Sequence, residues 1–62
     1  MKNFIEVHTP DKPYTINIAH IIFVEAYRRK SVESVINLSN GDCTFVEESY
    51  EDIKNMILEA QM

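Results

Sequence analysis

Apolar and polar positions alternate near the start of the chain. In NFIEVH, Asn3 to His8, Ile5 and Val7 fall on one face and Glu6 and His8 on the other, the period of a half-buried strand. The alternation stops at TPDKP, where Pro10, Asp11 and Pro13 mark a turn, because proline lacks the ladder N–H and restrains its own φ. YTINI, Tyr14 to Ile18, then predicts a short returning strand that closes a first hairpin. From Ile21 to Tyr27 the pattern changes. Ile22, Val24 and Ala26 form one face and Ile21, Phe23 and Tyr27 the other, broken only by Glu25, so both faces call for cover and the strand is expected to be central. VESVINL and CTFVE flank Asn40-Gly41, residues that accept the positive φ needed at both central positions of a type I′ turn, and they predict a second hairpin.

After Glu48 the period becomes helical. Ser49 is placed to N-cap a helix, with Asp52 in the place of the capping-box acid, and Glu51 and Asp52 complement the positive end of the helix dipole. Tyr50, Ile53, Met56, Ile57 and Ala60 share an arc of about 120° at about 100° per residue, the face expected to pack on the sheet. Leu58 and Met62 fall off that arc and hint at a second apolar contact. Together these elements predict an α+β fold in a single domain, residues 1–62: a small antiparallel β-sheet of four to five strands, built from two hairpins, with one C-terminal α-helix packed on one face.

Length adds a constraint. A chain of 62 residues buries only about 60% of its unfolded surface, so its core needs help from disulfides, metals or self-association. One cysteine, Cys43, excludes an intramolecular disulfide, and His8, His20 and Cys43 show no paired-ligand spacing, so neither a metal nor another cofactor is expected. Self-association is what remains, with Ile21, Phe23 and Tyr27 of the two-faced strand and Leu58 of the helix as candidate interface residues. No secretory pattern opens the chain and no apolar run reaches the ~20 residues of a membrane span, so a cytoplasmic protein without membrane contact is expected.

Catalytic chemistry finds no support: a nucleophile needs a base within reach and a third group to orient it, and no such grouping is visible. Cys43 reads as an inert strand thiol and His8 as a solvent-facing strand residue. Glu47, Glu48, Glu51 and Asp52 are explained by capping and solvation at a strand-to-helix junction. A net charge of −4 opposes general attraction to phosphate backbones, so any nucleotide or nucleic-acid contact must rest on Tyr27, Arg28, Arg29 and Lys30, the one dense basic cluster. That stretch admits two readings: an anion site with an aromatic beside it, or a solvated turn whose charges guard a sheet edge.

Over nearly the whole chain the order and spacing of these segments resemble the small FlbD-like family of flagellar and swarming-motility proteins. The resemblance is carried by Ile16-Asn17, Ile21 to Glu25, INLSNG from Ile36 to Gly41, and VEESYEDI from Val46 to Ile53. HIIFVEAY and the I-x-L-x-N-G pattern are also similar, more weakly, to the sheet of LytTR-type domains. The first resemblance implies a non-enzymatic protein connected with motility; joined to the self-association expected from the small core and the strand Ile21 to Tyr27, it gives a homo-oligomeric interaction or adaptor module that binds itself and another protein. The alternative from the residues is a small anion-binding protein, sequestering a nucleotide or contacting nucleic acid through Tyr27 to Lys30, of the kind met in phage or defence systems.

Overall fold

In the computed structural model, residues 3–62 are described. The strands are β1 (Phe4–His8), β2 (Pro13–Asn17), β3 (Ile21–Arg29), β4 (Val32–Leu38) and β5 (Cys43–Val46), followed by the helix α1 (Tyr50–Ala60). A short 3-10 helix, Ile18–His20, separates β2 from β3. The class is α+β, as the hydrophobic pattern predicts, but the strands do not join in one sheet. The β1–β2 hairpin is one antiparallel sheet, and β3–β4–β5 is a second, three-stranded meander. The division falls at the 3-10 helix. Asn17 caps it, its side chain accepting from the Ala19 N–H at 3.0 Å, and the chain leaves the first hairpin there so that β3 pairs with β4 instead of β2.

The two sheets share one core. Ile5 and Val7 from β1 and Ile16 from β2 pack with Ile36 of β4, Val46 of β5 and Ile53 of α1. The helix lies against β1 and β3 and closes the gap between the sheets with Ile53 and Ala60, while Met56 and Ile57 are half-buried. Ser49 caps it as its position predicts, its hydroxyl accepting from the Asp52 N–H at 3.1 Å. A backbone bond from Glu47 N–H to the His8 carbonyl, 2.7 Å, ties the end of β1 to the segment after β5, while Ser39 N–H to the His20 carbonyl, also 2.7 Å, extends the β3–β4 ladder beyond Ile21 and Leu38.

Three local features differ from the hydrophobic pattern. First, β3 is an edge strand and β4 is the central one. Second, β3 carries two irregularities. Ile21 pairs with Leu38 and Phe23 with Asn37, so Ile22 is an extra residue, and another falls between Ala26 and Arg29. The first bulge resets the alternation: Ile21 and Val24 both pack on the core, while Phe23 turns outward. Third, the β4–β5 connection is not a two-residue type I′ turn. Gly41 alone has positive φ, at 95°, and the bonds Gly41 N–H to Leu38 carbonyl (3.0 Å) and Leu38 N–H to Asp42 carbonyl (2.9 Å) define a three-residue loop, Ser39-Asn40-Gly41. Asn40 is held there by Asp42, whose N–H donates to Asn40 Oδ1 at 3.0 Å.

Candidate functional site

The outer face of the β3–β4–β5 sheet is the surface on which most of the candidate residues meet. Alternation along β4 settles which side chains point there. Ser34 and Ile36, fully buried, face the core with Val46, so Val35 and its paired neighbours Glu25 and Phe45 face out. Phe23, Phe45 and Tyr27 are 50%, 42% and 39% exposed, yet Val35, central among them, is only 6% exposed. Tyr27 and Phe45 meet edge to face, ring centres 5.0 Å apart and planes at 68°. A polar line crosses the face: the Cys43 thiol donates to Asn37 Oδ1 at 3.1 Å, and Asn37 Nδ2 donates to Glu25 Oε1 at 3.4 Å.

The basic cluster borders this face at the β3–β4 turn. The strand runs on through Arg29, so the turn itself is Lys30-Ser31 rather than Arg28 to Lys30. Arg28, in the second bulge, and Lys30, in the turn, both have φ of 54°, a left-handed conformation that costs a residue other than glycine roughly 1–2 kcal/mol. The Arg29 guanidinium lies over the Tyr27 ring, 5.3 Å from its centre. Among the described residues none of the three cations forms an ion pair. A shallow depression beside them is lined by Pro10, Tyr27, Val32 and Phe45.

The structure separates the other candidate interface residues. Ile21 is half-buried against the core. Leu58 is 55% exposed on α1, which packs on β1 and β3 and not on the aromatic face. Tyr27 is therefore common to both candidate sites, and Phe45 joins them as a residue the alternation of CTFVE contained but that pattern reading passed over.

One polar arrangement carries no signal in the linear sequence. Glu48, just before the helix, reaches back forty positions to the end of β1: its Oε1 accepts from the His8 N–H at 2.9 Å, and its Oε2 lies 2.6 Å from His8 Nδ1. The Glu48 carbonyl in turn accepts from the buried Ser34 hydroxyl at 2.8 Å. The hydrogen bond to Glu48 raises the His8 pKa above its ordinary 6.5. For Glu48, partial burial pushes its pKa up, but the backbone and ring hydrogen bonds from His8 outweigh it and the net shift is downward from 4.5. His8 is thus an exposed strand residue that also clasps the two sheets together.

Among the described residues, no three His, Cys, Asp or Glu side chains come together as metal ligands, and no helix is long and apolar enough to cross a membrane. No protein-family model, curated protein or solved structure matches the chain.

Proposed function

We propose that the protein is a self-associating interaction module whose outer β3–β4–β5 face is covered by a second copy of the same chain. The observation that carries this reading is the exposure of Phe23, Tyr27 and Phe45 on the sheet face turned away from the core. These three residues together leave about 300 Å² exposed on a chain of only 62 residues, Tyr27 and Phe45 in contact and Phe23 on the other side of the Asn37–Glu25 hydrogen bond. A stable interface takes about 800 Å² from each partner, so the rings would supply its apolar part, with the polar line running between Phe23 and the Tyr27–Phe45 pair and the basic turn at the rim.

Charge favours self-complementarity as well. The basic turn, Arg28 to Lys30, and the loop bearing Asp42 lie at opposite ends of the sheet. Two faces packed antiparallel about a two-fold axis bring the basic turn of one copy to the partner's Asp42. The setting implied by the FlbD-like resemblance, an adaptor among motility proteins, is part of the same proposal. The test uses Cys43, the single thiol, exposed on that face. Its reaction with a bulky maleimide should slow as protein concentration rises through the micromolar range; a concentration-independent rate refutes the reading.

A second reading rests on the unpaired cations. Two of the three occupy positions where glycine or asparagine would relieve strain, Arg29 lies over the Tyr27 ring, and none has an acidic partner among the described residues. On this reading they hold a phosphate-bearing ligand such as a nucleotide. Calorimetric titration of nucleotides and short oligonucleotides at two salt concentrations tests it; binding unchanged in Arg28→Ala/Arg29→Ala, or no binding, removes it.

A further inference from the structure

The serines of the chain divide by what their hydroxyls do. Ser34 is buried and donates to the Glu48 carbonyl, and the Ser49 hydroxyl caps α1. Ser31 and Ser39 are exposed, each in the connection of a hairpin, and among the described residues neither hydroxyl makes a hydrogen bond. Their charge surroundings are opposite. Ser39 is followed by Asn40, Gly41 and Asp42, whereas Arg28, Arg29 and Lys30 directly precede Ser31 and the apolar Val32 directly follows it.

Access, charge and conformation together suit Ser31 to accept a transferred group. It lies in the Lys30-Ser31 turn, outside both β3 and β4. The three preceding cations are exposed and form no ion pair among the described residues; Arg28 borders a small hollow with Glu33 and Glu51 but pairs with neither. They are free to be read by the acidic groups with which a base-directed kinase selects its substrates. A kinase takes the acceptor segment in an extended form. Arg28 and Lys30 are held at φ of 54°, so opening this turn releases strain, and presenting Ser31 costs less than opening an unstrained hairpin turn.

We propose that Ser31 is a phosphorylation site for a serine kinase that reads the basic residues preceding its acceptor. In the step, Ser31 Oγ attacks the γ-phosphorus of ATP. The Oγ–P bond forms while the bond from that phosphorus to the β–γ bridging oxygen breaks; ADP leaves with the electron pair, and the hydroxyl proton passes to the kinase's catalytic carboxylate. The product adds about two negative charges at neutral pH to a turn that carries three positive ones. Ser31 lies at most about 11 Å along the chain from Arg28, so the phosphate pairs with the cations beside it and closes their cluster to a free phosphate-bearing ligand. This goes beyond both readings above and needs neither, since a monomeric chain that binds no nucleotide presents the same turn.

The test incubates the full chain with ATP and the catalytic subunit of a kinase that selects serines preceded by arginines, and maps the phosphate by tandem mass spectrometry. One phosphate is expected on Ser31 and none on Ser39. Ser31→Ala should take up none. Arg28→Ala/Arg29→Ala should lower kcat/KM about 100-fold, since each arginine removed loses a charge-assisted contact worth about tenfold. All these positions are exposed, and circular dichroism checks that the variants fold as wild type does. A synthetic segment, Ala26 to Val35, gives the rate for an open turn, because a lone hairpin is marginal in water; the folded chain should come within about tenfold of it. The proposal is overturned if the folded chain takes up no phosphate, if Ser39 is modified in place of Ser31, or if Arg28→Ala/Arg29→Ala is phosphorylated at the wild-type rate.

Discussion

Replacing Gly41 isolates a single physical term. Its φ of 95° lies where residues with a side chain are strained, but a Cβ built there meets nothing within 4 Å. The cost of Gly41→Ala is therefore backbone conformation alone, about 1–2 kcal/mol, without any packing penalty. For a domain of this size that corresponds to a melting temperature lower by roughly 5–15 °C. Gly41→Val, stiffer at χ1, should cost about 1–3 kcal/mol, and Gly41→Asn clearly less than either, because asparagine tolerates positive φ. The order Gly, Asn, Ala, Val should appear in thermal unfolding followed by circular dichroism at one fixed protein concentration, since the proposed self-association would make the midpoint concentration-dependent. Equal melting of wild type and Gly41→Ala would show that Gly41 does not adopt positive φ. Asn40 supplies the control: with φ negative, Asn40→Gly should destabilise, whereas in a type I′ turn it would be neutral or favourable.

Ser34→Ala should destabilise by about 1–2 kcal/mol, because it removes the buried donor to the Glu48 carbonyl; an unchanged denaturation midpoint would contradict this. Lys30→Asn should raise stability by about 0.5 kcal/mol by relieving positive φ, and a lowered melting temperature would show that the turn is unstrained. The His8–Glu48 clasp gives a stability maximum in pH. The raised pKa of His8 makes its contribution full below 6.5 and lost as pH rises through its folded value, while the lowered pKa of Glu48 makes its contribution full above 4.5 and lost as pH falls. Melting scans from pH 3 to 9 should therefore show a maximum between those values that Glu48→Gln flattens on both sides; identical profiles for the two proteins would refute the clasp.

Elements written in short-range periodicity were legible in the sequence, and those set by long-range pairing were not. The alternation of Ile5 and Val7, the Ser49 cap and the 3.6-residue stripe through Ile53 and Ala60 each depend on neighbours a few positions away, and all three are present. The two-faced run from Ile21 predicted a central strand because a bulge is silent in a hydrophobic pattern. Inserting Ile22 turns both Ile21 and Val24 inward, so the apparent second face loses one member and β3 can remain at an edge. Asn40-Gly41 marks a tight turn in any reading, but the Asn40–Asp42 bond and the Leu38–Asp42 pairing select three residues over two. The division into two sheets follows from Asn17 capping a 3-10 turn, which ILE-ALA-HIS composition does not announce. For the candidate site, Phe23 and Tyr27 were legible as apolar residues on a strand that is rich in them. Phe45 was hidden in a short strand whose outward face only the β4 register defines, and the Glu48–His8 contact spans forty residues.

The central claim is that the outer β3–β4–β5 face is an interface between copies of this chain. Sedimentation equilibrium over a micromolar concentration series tests it most directly, with wild type compared to Phe23→Glu and Phe45→Glu. A charge buried without a partner at the centre of an interface costs several kcal/mol, so the account predicts a dimer or larger assembly for wild type and monomers for both variants, each variant still folded by circular dichroism. A wild-type chain that sediments as a monomer throughout that range, or variants that assemble as wild type does, would contradict it.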